Sequence, residues 1–540
     1  MRLIIKDYLA CLKEKDELDL LLCDLLLQMG YATHNVPKTG NRQYGVDIRA
    51  DNEKELLLFV IKQGDMNRTN WNCGQNAVRQ SLDEIHDSYM VMINGSDREK
   101  KLNIVVATNG VMDEAVRPNW EGYKRENTLW DGITVEITFW DIDTITSYIQ
   151  KFLFDEYLFG NEMRSLLRRA LYYVEESDYR RAYYERLIDN YLAELDEKIG
   201  KRKREKILSG VFLATQMIAY YAANCSKYRI GIMVSEYLVI RYWKYLFEHK
   251  QFGSENHIVW LYKYLAQYEK WNQEYYSAVK FCCEGKSRLL LNNPVEQRVI
   301  LYEMLGYLTS YAYYLYFKNQ INKRCSYELS AVVNCVVQIF NNYPQIYYPP
   351  FDNHVGILTM VYRLFDRLDK TEDVINLLNE FCVYMVRYYR ESKKYPSPVD
   401  DFEDAINIDM GFATEEYNVS CFWGTMIEWI VLLDQKELYQ KIQPFLTEDL
   451  SNVTKCVWLL KAEEEAKFYD ANAMCSSGTG FDFDTYKDFE KLKEEVDMIV
   501  NQFVSETFSF EEYGFSALEF IVSRYYEMLP RVKIENHAER

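Results

Sequence analysis

A mixed-sheet α/β domain over residues 1–154, followed by a large all-α, solenoid-like array over residues 155–345 and 346–540, is the architecture this sequence predicts. Three observations carry it. Four short apolar or alternating runs interleave with helical patterns as far as Tyr148. After Phe154 the alternation stops and amphipathic helical periodicity takes over. At 540 residues the chain is too long for a single core.

In the first part, Leu18, Leu20-Leu21-Leu22 and Leu25-Leu26-Leu27 recur at helical spacing, and Gly30 ends the helix. Gly40–Gly45 reads as a loop. Val46–Ala50 and Leu56–Gln63 read as adjacent antiparallel strands joined by the turn Ala50–Lys54. That pairing brings Asp47 near Lys62. A carboxylate can hold Mg²⁺ through oxygen, and a neighbouring ammonium can orient an attacking water, which is the minimal equipment for cutting a phosphodiester. An Asp in a turn and a Lys at a strand end are equally ordinary structural features. Asn76–His86 reads as a helix with Ala77, Leu82 and Ile85 inward. Lys101–Thr108 reads as a buried strand stopped by Asn109-Gly110, with a short helix from Val111 limited by Pro118. Ile133–Trp140 alternates as a strand, and Asp141 caps the next helix.

The order helix, strand, strand, helix, strand, helix, strand resembles the Mrr-type restriction endonuclease domain of the PD-(D/E)XK nuclease superfamily. The resemblance rests on Met29-Gly30-Tyr31 closing an acidic, leucine-rich helix, on Gly45-Val46-Asp47-Ile48, and on the strand ending in Lys62. Val105-Val106-Ala107-Thr108-Asn109-Gly110 and Phe139-Trp140-Asp141 complete it. It implies a restriction-endonuclease-like fold, DNA as partner, Mg²⁺ (or Mn²⁺) as cofactor, and a role in bacterial antiphage defence beside a second component. It places the metal-binding aspartate at Asp47, the catalytic lysine at Lys62 and the helix acid at Asp19, with Glu17 as the alternative register. Those two acids lie about 200° apart around a helix, so only one can face the site. The family places Asp, Glu or Gln two residues before the lysine, and this chain has Val60 there. Three readings stay open: Asp47 suffices with the Ile61 carbonyl, a displaced carboxylate at Glu84 or Asp83 substitutes, or the site is inactive.

Charge sets a condition on any DNA binding. Net charge is -19, and residues 1–154 carry 18 basic against 24 acidic side chains, so nucleic acid would need a local basic patch. Lys38 and Arg42 before Asp47, and Gln75 and Gln80 on the next helix, read either as solvated or as backbone contacts. Lys201-Arg202-Lys203-Arg204-Glu205-Lys206 is the densest basic run, a hairpin tip or a phosphate contact. Twelve cysteines without paired CxxC spacing fit reduced thiols in a cytoplasmic protein rather than a zinc site. No apolar run of about 18 residues predicts a membrane span. No Gly-rich loop ends in Lys-Ser/Thr, and no Gly-x-Ser-x-Gly occurs.

Beyond residue 155, the predicted helices include Ile258–Tyr268, Tyr275–Leu290 and Val453–Phe468. Tyrosine outnumbers phenylalanine, 46 to 27, and its helical stripes read as core. No fixed repeat period holds. The array is expected to sense or dock a protein partner. The alternative to a nuclease is an inactive nuclease fold that binds DNA or a protein; a third option makes the helical array itself the working scaffold.

Overall fold

The computed structural model describes residues 2–34, 44–73, 77–93, 95–153, 161–176, 180–196, 199–286, 293–322, 326–412, 416–459, 479–504 and 517–526. Two compact units divide the chain, Met1–Ser226 and Lys227–Arg540. Lys38, Arg42 and Gln75 lie outside the described residues.

The first unit is built on a six-stranded mixed sheet. Its strands are β1 (Ala32–Thr33), β2 (Ile48–Asp51), β3 (Glu55–Lys62), β4 (Lys101–Thr108), β5 (Leu129–Trp130) and β6 (Ile133–Trp140), in the order β1-β2-β3-β4-β6-β5. β3, β4 and β6 run parallel, and β1, β2 and β5 are antiparallel additions at the two sides. β3 is a continuous apolar run, Leu56–Ile61, because a strand inside a parallel sheet is covered on both faces. The hairpin joining β2 to β3 is set by Asn52, whose Oδ1 accepts the amides of Lys54 and Glu55, each at 2.8 Å.

Helices flank both faces. Leu58, Val60, Val78, Leu82, Val106 and Trp120 share one apolar cluster, formed with helices α3 (Val78–Glu84) and α4 (Arg117–Glu126). On the chain's first turns, α1 (Arg2–Ala10) packs against Ile142–Tyr148, and α2 (Asp19–Gln28) packs against β1 and β2. α1 was not among the expected elements. Pro118 starts α4 rather than limiting a helix from Val111: in the first turn its missing N–H has no partner to lose. Asp141 caps as expected, accepting the Thr144 amide at 2.8 Å.

One buried side chain ties the sheet's working end together. Asn109, directly after β4, donates to the carbonyls of Leu9 (2.9 Å) and Leu12 (2.8 Å) and accepts the amide of Gly64 (2.7 Å). Thr108 adds a bond to the Gly64 carbonyl and receives the Gly110 amide. A Cβ on Gly110 would lie 2.4 Å from the Gly64 carbonyl carbon, so the approach admits only glycine.

Three helices after residue 160 belong to this same unit: Asn161–Glu175, Ala182–Ala193 and Lys201–Asn224. The sheet's last strand ends at Trp140, whereas the compact unit runs on to Ser226. The basic run explains why. Arg202 donates to the carbonyls of Cys11 (Nε, 2.7 Å) and Leu12, and Lys206 pairs with Glu17 at 2.8 Å. Part of the densest positive charge therefore closes the end of α1, while Lys201 and Lys203 are exposed.

The second unit is mainly helical. Ile258–Tyr268 and the first part of Tyr275–Leu290, expected as two helices, form one continuous helix over Glu255–Cys283, and residues 287–290 lie outside the described set. Tyr264, Tyr268, Tyr302, Tyr311 and Tyr362 are fully buried. Tyr268 bonds Ser310 (3.0 Å), Tyr302 donates to the Ile346 carbonyl (2.9 Å) and Tyr311 to Glu328 (2.6 Å), so rings pack while hydroxyls stay satisfied. Val453–Phe468 was expected as a helix. Its first half is instead a strand, β8 (Thr454–Leu459), between β7 (Val419–Ser420) and β9 (Thr479–Asp482), and residues 460–468 lie outside the described set. Among the described residues no helix is long and apolar enough to cross a membrane.

Asn109→Ala would remove one donor each from the Leu9 and Leu12 carbonyls and leave the Gly64 amide without its acceptor. The expected loss is about 3 kcal/mol, read as a lower urea midpoint of the full chain.

Candidate functional site

The candidate site lies where β2 enters the sheet. Gly45 (φ +80°) turns the chain so closely against the next layer that a Cβ would sit 2.2 Å from the Ser81 carbonyl oxygen. Regular pairing then breaks for one residue. Ile48 is the register partner of Phe59, yet the Asp47 amide also donates to the Phe59 carbonyl at 2.8 Å. Two residues oppose one, a bulge-like irregularity of the kind that re-aims side chains beside active sites. Asp47 is thereby turned into the sheet edge, and its Oδ2 accepts the Ile61 amide at 2.7 Å. The carboxylate stands in for the backbone acceptor that a longer β2 would have provided.

Burial pushes the Asp47 carboxyl up to about 6; the Ile61 amide and the Lys62 ammonium pull it down, and Glu14 pushes it up. Lys62 is half-buried at the end of β3. Among the described residues it makes no ion pair and no side-chain hydrogen bond. The charges that act on Asp47 are those of Lys62, at the end of β3, and of Glu14 and Lys15 from the chain before α2.

Sequence reasoning missed Glu14. It sits on a wide turn, Glu14–Leu18, closed by the Leu18 amide on the Lys13 carbonyl at 3.0 Å. Such i→i+5 turns break the 3.6-residue count and concentrate at functional sites. Counting back from Gly30 at helical spacing steps over it, and no sequence signal marks the turn.

The other expected residues have different company. Glu17 pairs with Lys206 and accepts the Lys13 amide at 2.8 Å. Burial pushes its carboxyl up, but these two partners hold it below the usual range. Asp19 is buried, with Oδ1 accepting the Leu20 amide at 2.8 Å. Glu84 is exposed at the end of α3, and Asp83 accepts the Tyr123 hydroxyl at 2.8 Å. Gln80 is exposed. His34 pairs with Asp51, whose other oxygen binds Lys100. Val60 is fully buried in the apolar cluster with Trp71 and Val78, so that position is core.

Among the described residues no three His, Cys, Asp or Glu side chains assemble as a metal-binding group. Glu14 is a second carboxylate whose charge acts on Asp47. No family model, no curated protein and no solved structure matches the chain.

The raised Asp47 value has a definite sign in stability. The ordinary value is 3.8, so the folded state holds this proton more tightly than the unfolded state. The stabilisation is full below about 3.8 and is lost as pH rises through about 6. Asp47→Asn does not titrate. Urea midpoints measured from pH 4 to 7 should therefore move in favour of Asp47→Asn as the pH rises.

Proposed function

We propose that the first unit is a divalent-metal-dependent endonuclease that cuts DNA, with the helical second unit docking a partner. The carrying observation is Lys62, a half-buried ammonium with no ion pair among the described residues, held beside a carboxylate fixed by a backbone amide. The N-terminal resemblance to Mrr-type nucleases, and by analogy a part in restricting foreign DNA, support the same reading.

Asp47 and Glu14 would hold Mg²⁺ or Mn²⁺; Asp19 and Glu17, the acids the resemblance favours, are respectively bonded to the local backbone and paired with Lys206. The bound cation supplies Lewis-acid polarisation of the scissile phosphate and acidifies its water. Asp47 is positioned before any ligand arrives, because the Ile61 amide fixes one oxygen and leaves Oδ1 for the site. Lys62 orients the nucleophile and stabilises the developing negative charge on phosphate. At neutral pH the Asp47 carboxyl is mostly ionised and therefore competent as a ligand.

Plasmid DNA incubated with the full chain and Mg²⁺ or Mn²⁺ should be nicked or linearised. Asp47→Ala and Lys62→Ala should each slow this by at least about 100-fold. Cutting that persists in both variants overturns the assignment.

One observation favours the second reading, a nuclease fold that binds without cutting: the ligand position two residues before Lys62 is an isopropyl group packed in the core. Under it, calorimetry with Mn²⁺ shows no uptake by the unaltered chain. A carboxylate at position 60 is not a simple repair, because Val60→Glu buries an unpaired acid among Trp71, Val78 and Leu82. It should destabilise the protein by about 3 kcal/mol or more, seen as a lowered urea midpoint.

A further inference from the structure

The two sulfurs of Cys421 and Cys456 lie 3.5 Å apart in the second unit, 35 residues apart in sequence. Cys421 opens the helix Cys421–Leu432, directly after β7, and Cys456 lies in β8. Their approach is imposed by backbone rather than by chance rotamers. A Cβ on Gly424, one turn into the helix, would fall 2.0 Å from the Cys456 carbonyl oxygen, so helix and strand meet at glycine distance. The helix start is fixed as well: buried Asp352 accepts the amides of Cys421 and Phe422 and the Ser420 hydroxyl. Ser420 in turn caps the Trp423 amide at 3.1 Å.

Access differs between the partners. Cys421 is half-buried and can be reached from solvent, whereas Cys456 is buried. A thiol pair of this kind, one sulfur accessible and one behind it in contact, matches the arrangement of reacting and resolving cysteines in reversible thiol oxidation. A bond of about 2.05 Å brings the sulfurs about 1.5 Å closer than their 3.5 Å contact.

We propose that Cys421 and Cys456 are an oxidation site that a peroxide converts to an intramolecular disulfide. The Cys421 thiolate attacks one oxygen of hydrogen peroxide, the O–O bond breaks, and hydroxide leaves as Cys421 becomes a sulfenic acid. Cys456 sulfur then displaces the sulfenic hydroxyl, which leaves as water with the Cys456 proton, and the S–S bond forms. Two thiols lose two electrons and two protons, and one peroxide becomes two waters. An S–H donated from Cys456 to Cys421 across this contact favours the Cys421 thiolate. The product ties β8 to the start of the helix and closes a loop through the helices Cys421–Leu432 and Lys436–Glu448.

The test is made on the full chain. Reduced protein is treated with hydrogen peroxide, quenched, alkylated with N-ethylmaleimide and digested with trypsin without reductant. Cleavage after lysine releases residues 395–436 and 456–461, each with a single cysteine. The expected result is one cross-linked species joining these two peptides, absent from untreated protein, restored to separate peptides by dithiothreitol and missing in Cys421→Ser. Wild-type protein in which both peptides stay alkylated, or in which Cys421 or Cys456 links mainly to another cysteine, overturns the proposal. Because the decisive measurement is on the wild type, it does not depend on any variant folding.

Discussion

A single amide side chain sets the geometry on which the first unit depends. Asn109 is nearly inaccessible, so each of its polar atoms must find a partner inside the protein. It finds them on two separate pieces of chain: Leu9 and Leu12 at and just beyond the end of α1, and Gly64, two positions after Lys62. A hydrogen bond in dry surroundings tolerates little displacement, because the penalty for an orphaned group far exceeds the net gain of the bond. The end of β3 is thereby held to the end of β4 and to α1. Lys62, two residues before Gly64, lies next to that clamp.

Much of this was legible in the sequence. Lys101–Thr108 and Ile133–Trp140 were readable to the residue, because apolar runs of strand length stand between clear turn signals. Asp47 near Lys62 followed from strand pairing alone. Features set by geometry that composition does not encode stayed hidden. Glu14 stands on a turn of the wrong period, and Pro118 has two opposite meanings depending on which side of it the helix lies. The polar stretch Lys270–Glu274 looks like a link but is the solvent-side surface of one long helix in part, with Trp271 and Asn272 buried. Thr454–Leu459 carries a lysine where a strand core is expected. Lys455 is nonetheless buried, its ammonium capping the Leu446 and Leu450 carbonyls at the end of the helix Lys436–Glu448. Here the tertiary setting decided secondary structure.

The second unit shows how an acidic chain can bury basic groups. Arg298 pairs with Asp409 at 2.9 Å, Arg363 with Glu519 at 2.8 Å, and Arg524 with Glu236, all largely out of water. Such pairs contribute little net stability, since desolvation consumes most of the attraction, but each punishes any arrangement that leaves one partner alone. With tyrosine hydroxyls bonded across helices, the core acts as a set of matched polar contacts embedded in rings. That explains why tyrosine, rather than phenylalanine, dominates the composition.

The contacts of Arg202 and Lys206 carry a practical corollary for anyone wishing to isolate the α/β head. A fragment ending near residue 154 would strip Arg202 from the Cys11 and Leu12 carbonyls and leave Glu17 without its lysine. It would also bare the flank of α1 that the helix Lys201–Asn224 covers. The compact unit that holds the sheet extends to Ser226, 86 residues past the strand that ends at Trp140.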